Sequence, residues 1–135
     1  MKKITVFIFV LFVAVSCTKN DEVIPEATIV GRWNLKGFEG KVMYEFTSNK
    51  RYTYYSTDGN FPSLNEFMSQ NPAIQGLDWW YNGSKVTVDL NFGNSTTLKP
   101  NFVCNNNVIL WANDNGETQE IYFREGYSLD DCNIF

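Results

Sequence analysis

The feature that most constrains this chain's fold is its turn rhythm. Ser48-Asn49-Lys50, Asp58-Gly59, Asn82-Gly83, Gly93-Asn94 and Asn113-Asp114-Asn115-Gly116 break the body into short segments. Gly and Asn reach the positive-φ conformations that tight hairpins need, so such pairs between apolar runs mark strand ends. The segments between them are rich in aromatic and β-branched residues, which suit a pleated, half-buried surface. Lys85 to Phe92 is the clearest: Val86, Val88, Leu90 and Phe92 alternate with Lys85, Thr87, Asp89 and Asn91. That period of two is a strand with one buried face. The same reading gives strands at Val30 to Phe38, Val42 to Thr47, Arg51 to Ser56, Leu77 to Tyr81, Val108 to Ala112 and Thr118 to Arg124. Another runs from Ser95 to Lys99 and continues through Phe102 to Cys104. One helix is expected, at about 63–70, lying across one end of the body. Ser63 and Glu66 have capping-box spacing between Pro62 and Pro72, and Leu64, Phe67 and Met68 share a face. No helix is long enough for a βαβ unit. The expected fold is therefore all-β: about eight antiparallel strands in an up-and-down barrel, since closure leaves no exposed edges.

The first residues have a different character. Lys2 and Lys3 precede an apolar run from Ile4 to Val15, interrupted only by Thr5. As a helix this run covers roughly 18 Å, too short for a hydrocarbon layer of about 30 Å. A charged start, a short apolar core and small residues before a cleavage point make a secretory signal, here residues 1–16. Ala14-Val15-Ser16-Cys17 resembles the lipobox of bacterial lipoproteins, although that family usually has Leu where this chain has Ala14. The resemblance implies cleavage before Cys17 and acylation of its thiol, which would tie the protein to the cell envelope through the outer membrane. The alternatives are a plain, non-lipidated signal peptide or a buried N-terminal element. Thr18-Lys19-Asn20-Asp21-Glu22 cannot pack a core, so residues 17–28 are expected to be a solvated tether and residues 29–135 the domain. Its acidic residues resemble a surface-export tag of some Gram-negative lipoproteins; an ordinary polar linker is the other reading.

Removing residues 1–16 from 135 leaves 119, enough for one domain with a sizeable core. Nine Lys and Arg then stand against 15 Asp and Glu, a net charge of about −6. An acidic body without a basic cluster is poorly suited to nucleic acid, and it gains nothing from an anionic membrane surface. Membrane attachment would rest on the lipid. With Cys17 acylated, Cys104 and Cys132 remain as a pair in an oxidising compartment, where a disulfide between them is expected; two separate thiols are the alternative.

Gly31-Arg32-Trp33 opens the first strand, and Phe46-Thr47-Ser48-Asn49-Lys50-Arg51-Tyr52 makes the next hairpin. Together they resemble the lipocalin superfamily, and more closely the short lipocalin-like domains of bacterial lipoproteins. The resemblance covers most of residues 29–125. It implies that Trp33 closes the barrel floor beside Gly31, with Arg124 of the last strand stacked across its ring. These are structural roles and name no ligand. The chain departs from ordinary lipocalins in its shortness and in placing its helix after the third strand.

Chemistry-bearing motifs are few. The chain has no histidine, which excludes Ser-His-Asp and Cys-His catalysis and the usual zinc sites. Asp78 and Asp89 are read as solvated rather than paired. Asn113-Asp114-Asn115-Gly116-Glu117 lacks calcium-loop spacing and is read as a hairpin turn. No metal, cofactor or enzymatic activity is expected. Aromatic residues crowd between positions 52 and 81. From these, Tyr52, Tyr54, Phe67, Trp79 and Trp80 are candidates for holding a small apolar or amphipathic ligand; packing of an aromatic core is the plainer reading. Adjacent Trp79 and Trp80 must face opposite sides of a strand. The alternative function is a filled barrel that contacts an envelope protein.

Overall fold

The computed structural model describes residues 24–135. The expected signal segment at 1–16, Cys17 and the expected tether up to residue 23 lie outside the described residues. The elements are β1 (Gly31–Leu35), β2 (Val42–Phe46), β3 (Lys50–Tyr55), α1 (Leu64–Gln70), β4 (Leu77–Asn82), β5 (Lys85–Asn91), β6 (Asn94–Val103), β7 (Val108–Ala112) and β8 (Thr118–Arg124). A single 3-10 turn, Leu129–Asp131, follows. Consecutive strands pair antiparallel and β8 returns to β1, so the sheet closes into an eight-stranded barrel. This is the all-β, up-and-down architecture that the turn rhythm implies.

Which residues face inward follows from the register, because directly opposed residues of an antiparallel pair share a face. Trp33 lies opposite Tyr44 and Arg124. Phe46 lies opposite Arg51, and Arg51 opposite Leu77. Trp79 opposes Val88, and Trp111 opposes Glu120. The inward set forms the main core: Trp33, Phe46, Trp79, Val86, Val88, Ile109, Trp111 and Tyr122, with Ile29 added from the N-terminal segment. A second cluster covers the outer face of β6–β8, where the C-terminal segment lays Tyr127, Leu129 and Cys132 on Val108, Leu110, Ile121 and Phe123.

The β2–β3, β4–β5 and β6–β7 turns lie at one end of the barrel, together with residues 24–30. Residues 25–28, expected to be part of the tether, are bonded to this end. The Pro25 carbonyl accepts from Asn106 Nδ2 at 3.0 Å and the Glu26 carbonyl from Arg124 Nη2 at 2.9 Å. Three backbone carbonyls thus meet donors, with Thr28 the third, and this satisfies groups that a free tether would leave to water.

Two elements differ from the sequence expectation. The alternation over Lys85 to Phe92 ends early. A register shift between Asp89 and Asn91 moves the turn one residue back, onto Phe92-Gly93, with φ of +54° and +78°. Leu90 is then partly exposed and Phe92 fully exposed. The physical cause is the two-residue hairpin, whose twist needs positive φ at both central positions. The helix also lies elsewhere than expected. Ser63 Oγ accepts from the Glu66 N–H, as the capping spacing implies. But α1 packs on the outer face of the wall rather than across an end, with the Phe67 ring 4.5 Å from that of Tyr54. Tyr54 faces outward because it stands opposite Met43 of β2.

Candidate functional site

The barrel interior is not filled. A cavity of about 250 Å³ runs between β2–β3 and β5–β8. It reaches the end carrying the β5–β6 and β7–β8 turns, where Leu90 and Glu120 are exposed. Phe46, Val86, Val88 and Leu98 make its apolar wall, and Tyr44, Arg51, Trp111, Glu120 and Tyr122 supply polar atoms. Each projects inward by strand parity, so the cavity is a product of register.

The aromatic side chains brace one another. Tyr44 stacks on Tyr122 with centroids 5.0 Å apart, and Trp111 meets Tyr122 edge-on at 5.5 Å. Phe46 lies 5.9 Å from Trp79 and 6.3 Å from Trp111. Such offset and edge-to-face pairs hold rings in one arrangement. Tyr122 Oη donates to Glu120 Oε2 at 2.6 Å. Burial, then the Glu120 carboxylate, raises Tyr122 far above the usual phenol range. Burial raises Tyr44 as well, against the opposing pull of Arg51. The Arg51 guanidinium lies over the Tyr44 ring at 4.8 Å. Two donors in this lining are buried without a hydrogen-bond partner among the described residues: Arg51 Nε and Trp111 Nε1.

Trp33 and Arg124 meet near the opposite end. The Arg124 guanidinium lies 4.5 Å from the Trp33 ring centroid, and Trp33 Nε1 donates to the Ile29 carbonyl at 2.7 Å. Arg124 Nε donates to the Asn106 carbonyl at 3.1 Å. Gly31 has φ +131°, and a Cβ there would stand 3.2 Å from Arg124 Nη1. The glycine is required both by its backbone and by the space the arginine fills.

The five aromatic ligand candidates are not brought together. Tyr54 and Phe67 pair outside the wall. The Tyr52 ring covers Gly76, where a Cβ would approach it to 2.8 Å. Trp80 faces outward and is 46% exposed. Only Trp79 points inward, and its Nε1 donates to the Thr47 carbonyl at 3.1 Å beside the floor, outside the cavity lining. The lining residues Tyr44, Arg51, Trp111, Glu120 and Tyr122 were not singled out by sequence. The signal was present in the hairpin: its turn sets Arg51 opposite Phe46 and Tyr52 opposite Glu45. Parity therefore puts Arg51 inside and Tyr52 outside.

Elsewhere, Asp78 pairs with Lys50 at 2.8 Å, and Asp89 Oδ1 accepts from the Asn91 N–H. The two carboxylates are thus separately engaged. Residues 113–117 close on themselves, with Asn113 Oδ1 accepting from the N–H groups of Asn115 and Glu117. Cys104 and Cys132 lie at disulfide distance, with Cα atoms 5.5 Å apart. Comparison of the chain with protein-family models, with curated proteins and with solved structures returns no match.

Proposed function

We propose that this is a lipid-anchored envelope lipoprotein whose lipocalin-like barrel binds one small amphipathic molecule in its interior. The observation that carries the reading is the cavity itself: about 250 Å³, walled by rings and branched side chains, with a few polar atoms converging on it. Ligand sites are typically of this kind, mostly apolar with a small number of placed polar groups. Its size bounds the occupant. An apolar cavity of about 150 Å³ takes benzene, and drug-sized ligands need about 300 Å³ or more. The molecule is one ring or a short branched chain with a small substituent. The role is binding rather than catalysis, in keeping with a chain that has no histidine. Kinship with lipocalins is supported by the Trp33–Arg124 contact over Gly31 at the N-terminal end of the barrel. The anchor is supported by the charged, short apolar leader ending at Cys17.

Two measurements test this reading. Native mass spectrometry of protein purified from its own host should show a bound mass of roughly 100–200 Da, in line with the cavity volume; only unliganded protein would count against a container. Cys17→Ser should release the protein from the outer-membrane fraction, and retention there would sink the anchor. A second reading has its own observation. Trp80 and Phe92 are exposed, and Phe92 is held at positive φ on a hairpin tip. Exposed aromatics on a rigid hairpin suit contact with an envelope protein. A pull-down that loses its partner on Phe92→Ser, with no ligand in the barrel, would favour it.

A further inference from the structure

The cavity's unsatisfied groups define the chemistry of its occupant, granted that the interior is a binding site as proposed above. Arg51 and Trp111 both line it, and Arg51 Nε and Trp111 Nε1 are buried with no hydrogen-bond partner among the described residues. Guanidinium and indole nitrogens only donate. A buried donor left unpaired costs about 1–3 kcal/mol, and more when it is charged. The one carboxylate of the lining does not serve them. Glu120 holds Tyr122 Oη at 2.6 Å, stands at the exposed rim, and has no oxygen within 4.0 Å of Arg51 among the described residues. The remaining wall is Phe46, Val86, Val88, Leu90 and Leu98, with the Thr96 hydroxyl as its one polar group, and it offers a ring or branched chain an apolar surface.

We propose that the cavity binds a small ring-bearing carboxylic acid as its anion, with the carboxylate facing the Arg51 guanidinium, which has no carboxylate partner within 4.0 Å among the described residues, and the ring against Phe46, Val86, Val88 and Leu98. A carboxylate is acceptor-only and complements a guanidinium without leaving a proton of its own unpaired. A neutral hydrocarbon of the same size would fill the wall and leave the guanidinium without an acceptor. A ring with a two-carbon side chain ending in the carboxylate, about ten non-hydrogen atoms, suits a volume between that of a benzene site and a drug site. Arg51 also borders a more open hollow of about 470 Å³ between β3 and residues 73–78. The charge is therefore within reach of the solvent from which an anion would arrive.

The test uses phenylacetate and its uncharged counterpart ethylbenzene as probes, titrated into the full mature domain and read by the indole N–H resonances in nitrogen-15 NMR. Trp111→Phe assigns the Trp111 signal. The expected result is phenylacetate binding that shifts this signal, with ethylbenzene at least about tenfold weaker, as befits one charge-assisted bond. Arg51→Met should weaken phenylacetate about tenfold or more, and an unliganded indole N–H spectrum as dispersed as the parent's shows that the variant barrel is intact. Equal binding of the two probes, or phenylacetate binding indifferent to Arg51→Met, overturns the carboxylate assignment while leaving the binding module standing. If neither probe binds, both readings fall.

Discussion

At the residue scale, two side chains with the same charge have opposite surroundings. The Arg124 guanidinium is engaged on its face and on two of its nitrogens: Trp33 beneath it, the Asn106 carbonyl on Nε, and the Glu26 and Thr28 carbonyls on Nη2. Arg51 stacks on Tyr44 but leaves Nε without a partner. The first holds the N-terminal segment to the barrel, and the second is free to meet something else. Gly31 is the hinge of the first arrangement. At φ +131°, with Arg124 Nη1 3.2 Å from where a Cβ would be, alanine is strained and displaces the guanidinium. We expect Gly31→Ala to destabilise the fold by about 1–3 kcal/mol in urea unfolding. A loss under about 0.5 kcal/mol, the range of ordinary surface changes, would show that Arg124 moves aside freely. Gly31, Trp33 and Arg124 were legible because short motifs carry them. Arg51 was not singled out, because an arginine beside a turn reads as exposed until the register of its hairpin is applied.

At the element scale, strands and turns follow local chemistry, and the deviations have local causes. The seven-residue helix starts where Ser63 caps it, but its partner is the outward Tyr54 ring, a choice made by β2–β3 register. The β5–β6 hairpin turns at Phe92-Gly93 because a bulge consumes one residue of the alternation. The C-terminal segment is the element most dependent on one bond. Its Tyr127 and Leu129 cover the outer face of β7 and β8, and it is attached there through Cys132, 28 residues beyond Cys104. With Cys104 and Cys132 bonded, closing that loop contributes about 3–4 kcal/mol by chain entropy. Cys132→Ser should lower stability by that amount, and reducing agent should bring the parent protein to the same value. A parent protein indifferent to reductant would mean that the two thiols are separate.

At the scale of the whole molecule, three of the seven tyrosines share a response to alkali. Burial raises Tyr44, Tyr54 and Tyr122 above the ordinary phenol value of 10.0, with Glu45 adding to the rise at Tyr54 and Glu120 at Tyr122. Below pH 10 folded and unfolded chains hold these protons equally, so stability is unaffected by them. Above pH 10 the unfolded chain loses protons that the folded one keeps, so stability falls as pH rises. Melting temperature should therefore be flat across neutral pH and drop steadily beyond pH 10. Tyr122→Phe, which cannot ionise, should flatten the slope; an unchanged slope would remove Tyr122 as a cause. What the sequence by itself determined was fold class, strand order and the Gly31–Trp33 opening of the first strand. Each depends on neighbours within a few positions: turn pairs, alternation and capping spacing. The docking of residues 25–28, the outward place of α1 and the cavity were decided only in three dimensions. All of these join residues far apart in the chain, and a one-residue change of register exchanges inside for outside. The aromatic run at 52–81 could announce abundant rings, but only the barrel's pairing decided that Tyr44, Trp111 and Tyr122, not Tyr52 or Trp80, would face the interior.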